Sequence, residues 1–199
     1  MSEHYFASNP AIESKLRSVE FTVQDTLFKL QASSGTFSAT RLDAGTKALL
    51  GYLDDVSGDV LDIGCGWGPI AISIAKLYPA TKVWALDINQ RSLELTRLNA
   101  KAANLGNVMA VTESEISADQ TFNQIWSNPP IRVGKEVLHT LMRTWLPRLR
   151  PGGSATLVVQ KQLGADSFTK WLADEFPELK VERIGTEKGY RIIRASKLD

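Results

Sequence analysis

The chain has 199 residues, 43% of them apolar and 8% aromatic. That suits one domain with a modest extension, able to bury roughly 70% of its unfolded surface, and excludes a disordered chain or a disulfide-stapled mini-protein. Lys and Arg number 23 against 22 Asp and Glu, a formal net charge of +1, so bulk charge gives no pull toward nucleic acid and any such role needs a local basic patch.

Along the chain, Val19-Glu20-Phe21-Thr22-Val23 alternates apolar and polar, Asp25-Thr26 offers a turn, and Leu27-Phe28-Lys29-Leu30 resumes the alternation. This predicts a β-hairpin ended by Ser33-Ser34-Gly35. Asp43 can cap a helix carrying Ala48, Leu49, Leu50 and Leu53 that stops near Ser57-Gly58. Strands are then predicted at 60–63, 82–86, 108–111, 124–126 and 155–159, with helices over 70–77, 91–103 and 136–149, the last closed by Pro151-Gly152-Gly153. A final helix over 166–176 precedes strands at 181–184 and 191–195, joined through Lys188-Gly189. The alternation predicts an α/β, Rossmann-like, doubly wound and mostly parallel seven-stranded sheet with an antiparallel C-terminal edge and a small N-terminal β-hairpin extension. Residues 1–42 form that extension, packed on the core, and residues 43–199 the domain proper.

Asp62-Ile63-Gly64-Cys65-Gly66-Trp67-Gly68-Pro69 lies where a buried strand becomes a helix, the place where an open α/β sheet takes a nucleotide-like ligand. A dinucleotide fingerprint needs glycine at its sixth position, which here is Pro69, so the loop is a poor pyrophosphate cradle. Asp87 ends the next strand and is placed to accept from both hydroxyls of a ribose. Together these features point to an adenosyl ligand without a diphosphate; taken alone, the glycine loop is also compatible with a tight strand-to-helix turn. Asp62 can accept from a ligand ammonium or hold the loop amides. Glu115, after the third core strand, can reach an adenine amino group or sit as a solvated acid. Trp67 can stack on something planar, whereas Trp84, Trp126, Trp145 and Trp171 suit packing, and His139 reads as a packed or surface residue rather than a base.

Ser127-Asn128-Pro129-Pro130-Ile131 follows the fourth core strand, and its two prolines fix the backbone and remove two donors. What remains is a row of acceptors. The Asn128 side-chain carbonyl and the Pro129 main-chain carbonyl can both accept from one NH2 group and aim its nitrogen at an electrophile. The alternative is a rigid loop that merely ends a strand.

Asp62 to Gly68, Asp87 and Asn128-Pro129-Pro130 together resemble class I S-adenosylmethionine-dependent methyltransferases, in the methyltransferase small group that includes the bacterial 16S ribosomal RNA guanine-N2 methyltransferases. Gly35-Thr36-Phe37-Ser38 and Leu42-Asp43-Ala44-Gly45-Thr46 are similar to the segment that, in this group, precedes the core and closes over the methionyl end of the cofactor. Ile131 to Lys135 and Lys188 to Arg191 resemble a single-domain branch of it. The resemblance implies that Gly64, Cys65, Gly66 and Gly68, with Asn128 opposite, line S-adenosylmethionine, Asp62 holds its methionyl end, Asp87 with Ile88 takes the ribose, and Glu115 with Ile116 flanks the adenine. Asn128 and Pro129, stiffened by Pro130, would hold the target nitrogen. Many members carry an aromatic residue where this chain has Ile131, and the two-domain enzymes carry an N-terminal half it lacks. Ile131, Arg132, Lys135, Lys161 and Arg191 are the candidate substrate contacts, forming with Lys188 a basic mouth for RNA.

The expected activity is therefore methyl transfer to an exocyclic NH2, foremost guanine N2 of ribosomal RNA. A glutamine amide of a release factor, adenine N6, and a non-catalytic cofactor-binding RNA module are the alternatives; a nicotinamide oxidoreductase is disfavoured by the displaced third glycine. Cys65 is the one cysteine, and with only His4 and His139 beside it no zinc-finger ligand set can be filled, so no metal is expected. No basic-then-apolar leader opens the chain and no apolar run approaches the about 18 residues of a membrane span, so a soluble, cytoplasmic protein is expected.

Overall fold

The structure, a computed structural model, describes residues 16–33, 38, 40–130 and 134–198. Strands β1 (Leu16–Val23) and β2 (Thr26–Ser33) pair antiparallel as a separate two-stranded sheet. Their turn is Gln24-Asp25, one residue before the expected position, with both φ values positive, the backbone hand that matches strand twist. The hairpin buries Val19, Val23, Phe28, Leu30 and Ala32 against the core. Asn99 completes the docking: its Oδ1 accepts from Gln31 N–H at 2.7 Å while its Nδ2 donates to Gln31 O at 2.9 Å and to Trp67 O at 2.8 Å. One side-chain amide thus stands in for a missing strand partner and ties β2 to the glycine loop.

Helix α1 (Ala44–Leu50) is capped by Asp43 as expected, but ends at Gly51 and leaves Leu53 beyond it. The main sheet contains β3 (Asp59–Ile63), β4 (Lys82–Leu86), β5 (Val108–Val111), β6 (Phe122–Ser127), β7 (Leu149–Gln160), β8 (Leu179–Glu187) and β9 (Tyr190–Lys197). Their spatial order is β5-β4-β3-β6-β7-β9-β8; β3 to β7 run parallel, and β9 runs against both β7 and β8. This is the expected mostly parallel, seven-stranded, doubly wound α/β fold.

Helices α2 (Pro69–Leu77) and α3 (Gln90–Ala102), with α1 and the hairpin, cover one face; α4 (Lys135–Trp145) and α5 (Ala165–Glu175) cover the other. Because the sheet is covered on both sides, consecutive strand residues feed opposite cores: Val60 and Ile192 belong to the first, Leu61 and Ile193 to the second. Pro151-Gly152-Gly153 does not form a loop between α4 and the next strand. It lies inside β7, where the register against β6 shifts between Phe122 and Gln124, and a Cβ at Gly153 would sit 2.8 Å from both Arg150 O and Asn123 O. Proline and glycine are tolerated in a strand at such an irregularity. Among the described residues, no helix is long and apolar enough to cross a membrane.

Candidate functional site

The chain runs from β3 outward to β5, then returns to place β6 on the other side of β3. That reversal opens a crevice at the carboxyl ends of β3 and β6, the position where open α/β sheets bind ligands. The glycine loop leaves one wall of it and Asn128-Pro129-Pro130 the other. A Cβ at Gly64 would lie 4.0 Å from Pro130 Cδ, so the two segments adjoin.

The three loop glycines serve different ends. Gly64, Gly66 and Gly68 all have positive φ, 74°, 59° and 89°. A Cβ at Gly66 would meet nothing within 4 Å, so that turn faces open space a ligand can fill. Gly68 is instead buried against α3 and α2: a Cβ there would lie 2.9 Å from Thr96 Oγ1 and 3.2 Å from Ile72 Cγ1. It is the N-cap of α2 and has no side chain to give, so Asp62 from β3 supplies the acceptor, its Oδ2 taking Ala71 N–H at 3.0 Å. Asp62 is fully buried, and its Oδ1 has no partner among the described residues. Burial pushes its pKa up to about 8, against the lowering effect of the Ala71 bond, with the Asp87 charge adding to the rise.

Asp87 is half-buried at the end of β4, and burial raises its pKa although Asn89 N–H and Gly66 N–H both donate to it. Its Oδ2 accepts from Gly66 at 2.9 Å and Oδ1 from Asn89 at 2.8 Å, with Ile88 N–H and the Ser92 side chain as further donors, which aims the carboxylate at the loop. Beside it, Ile88 is 83% exposed, an apolar side chain ready to lie on a flat ring. Ile116 is buried in the core of the α4 face. Glu115 commits Oε2 to a cap at the end of β5, accepting from Thr112 N–H at 2.7 Å and Thr112 Oγ1 at 2.8 Å; these bonds hold its pKa below the usual value. An open glycine turn, an anchored carboxylate and an exposed apolar residue fit an adenosyl group.

Cys65 is buried, with Sγ 3.7 Å from Thr96 Oγ1, and burial with the Asp62 and Asp87 charges pushes its thiol pKa well up. It is a packed, unreactive thiol. Trp67 corrects a sequence expectation: at 2% exposure its ring lies edge-on to Phe21 of the hairpin at 6.2 Å and is closed to any planar ligand. His139 is packed too, stacked on Trp171 with centroids 3.5 Å apart.

On the second wall, Ser127 is buried and Pro129 is buried, while Asn128 is half-buried. Asn128 Nδ2 donates to Asp43 Oδ2 at 2.8 Å and to Thr46 Oγ1 at 3.0 Å. The sequence marks Asp43 as a helix cap and as part of a segment similar to one that closes over the methionyl end of the cofactor, but not as a partner of Asn128; that bond spans 85 positions and leaves no local signal. Tyr190, on β9, reaches the same spot: its Cε1 would be 3.0 Å from a Cβ on Gly45.

Of the basic residues, Lys135 starts α4 and Lys161 follows β7, both exposed, and Lys161 N–H donates to Gly189 O beside Lys188. Arg191 departs from the expected open rim. Its side chain is 12% exposed, with Nη1 on Thr186 Oγ1 at 3.1 Å and Nε 3.6 Å from Asp166 of α5. Ile131 and Arg132, like Gly35, Thr36 and Phe37, lie outside the described residues.

Residues 27–194 match the family described as Methyltransferase small domain. The Bacillus subtilis protein YbxB, itself uncharacterized, is 34% identical over 203 residues, with both chains covered in full. The ribosomal RNA small subunit methyltransferase C of Shewanella sediminis is 35% identical over 133 residues, 65% of this chain and 39% of that one. The Pseudomonas entomophila protein of the same name is 31% identical, covering 94% of this chain and 56% of its own length. The chain thus spans about half or less of these two relatives. Among solved structures, the T. thermophilus 16S rRNA N2 G1207 methyltransferase (RsmC), in complex with AdoMet and guanosine, superposes with a TM-score of 0.80 at 23% identity, over 94% of this chain and 52% of that one. A methyltransferase from Pyrococcus furiosus gives 0.69 at 19% identity, over 86% and 90%.

Proposed function

This chain belongs to the methyltransferase small domain family and is an S-adenosylmethionine-dependent methyltransferase; from that premise we propose that its acceptor is the exocyclic N2 of a guanine in ribosomal RNA. The observation that carries the reading is the adjacency of Gly64 and Pro130, which puts a row of acceptors beside a loop suited to an adenosyl ligand. When bound, S-adenosylmethionine supplies an electrophilic methyl on a sulfonium, and the acceptor nitrogen's lone pair forms the new N–C bond as the C–S electron pair returns to sulfur.

The chain's own residues do the rest by binding and orientation. Asp87 takes the ribose hydroxyls, Gly64 and Gly66 allow close approach, and Ile88 lies on the adenine. Asp62 and Glu115 stand at the methionyl and adenine ends; Cys65, Gly68 and Ile116 shape the pocket from behind. Asn128 Oδ1 and Pro129 O each accept one N–H of the target amine, so its lone pair points along the transfer direction. The amine sheds its extra proton after transfer, so no strong base is needed. Lys135 and Lys161 face the RNA, and the base must be unpaired or flipped to reach Asn128. The names of the ribosomal RNA relatives support this substrate class.

The test is methyl transfer from radiolabelled S-adenosylmethionine to separated RNA, DNA and protein from cells lacking the gene. Label in RNA that digests to N2-methylguanosine is expected. Label in protein, or in N6-methyladenosine, overturns the choice of acceptor.

A further inference from the structure

An asparagine amide presents an acceptor on one side and a donor on the other, and only the acceptor side can hold an NH2 group. A flipped Asn128 would oppose donor to donor. The structure contains a device that prevents this. Asp43 Oδ2 already accepts Gly45 N–H at 2.8 Å and Thr46 N–H at 3.1 Å, which pins the carboxylate to the first turn of α1. An ionised carboxylate offers no hydrogen, so only the Nδ2 end of Asn128 can face it, and Nδ2 does so at 2.8 Å with Thr46 Oγ1 as second acceptor at 3.0 Å. No described residue is bonded to Oδ1.

We propose that Asp43, seconded by Thr46, is a positioning residue for methyl transfer: it fixes the orientation of the Asn128 amide and so selects an NH2-bearing acceptor. The inference rests on the reading of Asn128 as the acceptor-holding residue. It gives the segment before the core a part in the chemistry of the acceptor as well as in covering the fold. A space problem at Gly45 supports it, since a Cβ there would crowd Asp43 Oδ2, Tyr190 Cε1 and Asn128 Nδ2 together.

The test uses the full chain with Asp43→Ser, Asp43→Asn and Thr46→Val, each alone and with Asn128→Ala. Serine still caps α1 but is too short to reach Asn128, and asparagine keeps an acceptor at the same reach. Two properties are read: exchange of the Asn128 side-chain amide protons by 15N NMR, and methyl transfer to small-subunit ribosomal RNA. In the wild type those protons exchange slowly, and Asp43→Ser speeds them at least about tenfold. Asp43→Ser lowers kcat about tenfold or more while cofactor Kd and RNA KM stay within about twofold, and Asp43→Asn recovers most of the rate. On the Asn128→Ala background, Asp43→Ser adds nothing, because both act through one amide. Fast exchange in the wild type, an unchanged kcat in Asp43→Ser, or a further loss on the Asn128→Ala background overturns the proposal. If the wild type methylates no RNA, the substrate reading fails, and the amide exchange in Asp43→Ser decides the positioning.

Discussion

The Ser127 hydroxyl donates to the Ile63 carbonyl at 2.7 Å and joins the end of β6 to the end of β3 across the switch point of the sheet. That bond sets the spacing between the glycine loop and Asn128, the next residue after Ser127. Ser127→Ala removes one buried hydrogen bond and costs about 1 kcal/mol of stability, read as a lower urea midpoint. Methyl transfer falls by a larger factor than cofactor affinity, because the two walls shift relative to each other. A rate and an affinity that fall equally would contradict this.

Asp87→Ala removes the ribose acceptor and the anchor of Gly66 N–H together. With one hydrogen bond to a charged group worth about 1.5–3 kcal/mol, the loss of even one of the two ribose contacts raises the Kd for S-adenosylmethionine at least roughly tenfold. Calorimetric titration measures it, and an unchanged Kd would remove Asp87 from the site.

Gly45→Ala tests the crowding around Asn128. Its Cβ would stand 2.9 Å from Asp43 Oδ2, 3.0 Å from Tyr190 Cε1 and 3.3 Å from Asn128 Nδ2. Alanine is the better helix residue by about 1 kcal/mol, so the fold is retained or loses little, yet displacement of Asn128 lowers kcat about tenfold or more. Thermal unfolding and initial rates separate the two effects.

Stability depends on pH through Asp62. Its folded pKa of about 8 exceeds the ordinary 3.8, so between these values the native state keeps a proton that the unfolded chain has released. Stability from this group is therefore full below about pH 4, falls as pH rises toward about 8, and levels off above. The raised pKa of Asp87 acts in the same direction. Asp62→Asn, which keeps an acceptor for Ala71 N–H, flattens the slope in urea unfolding between pH 4 and pH 8. An unaltered slope would show that Asp62 stays ionised.

The sheet was legible because its strands are short, buried β-branched runs separated by amphipathic helices, and Asp43 announced α1 by its capping chemistry. The bulge in β7 was not, since Pro151-Gly152-Gly153 carries the composition of a loop and only the pairing on either side of it, Leu149 with Phe122 and Ser154 with Gln124, keeps it within the strand. The site divided in the same way. Gly66, Asp87 and Asn128 are local features at strand ends, readable from spacing. The Asp43–Asn128 bond, the Asn99 bridge between β2 and Trp67, and the approach of Arg191 to Asp166 of α5 are contacts between distant segments, which spacing does not record.

Asn128→Ala separates binding from chemistry most directly. Cofactor Kd by calorimetry and single-turnover methyl transfer to small-subunit ribosomal RNA are measured on the same preparation. The predicted result is a Kd within about twofold of wild type and a rate reduced at least about a hundredfold, because the acceptor amine loses its orientation and the adenosyl pocket does not change. A variant that still methylates at the wild-type rate, or one that loses cofactor binding along with turnover, would contradict the role of Asn128.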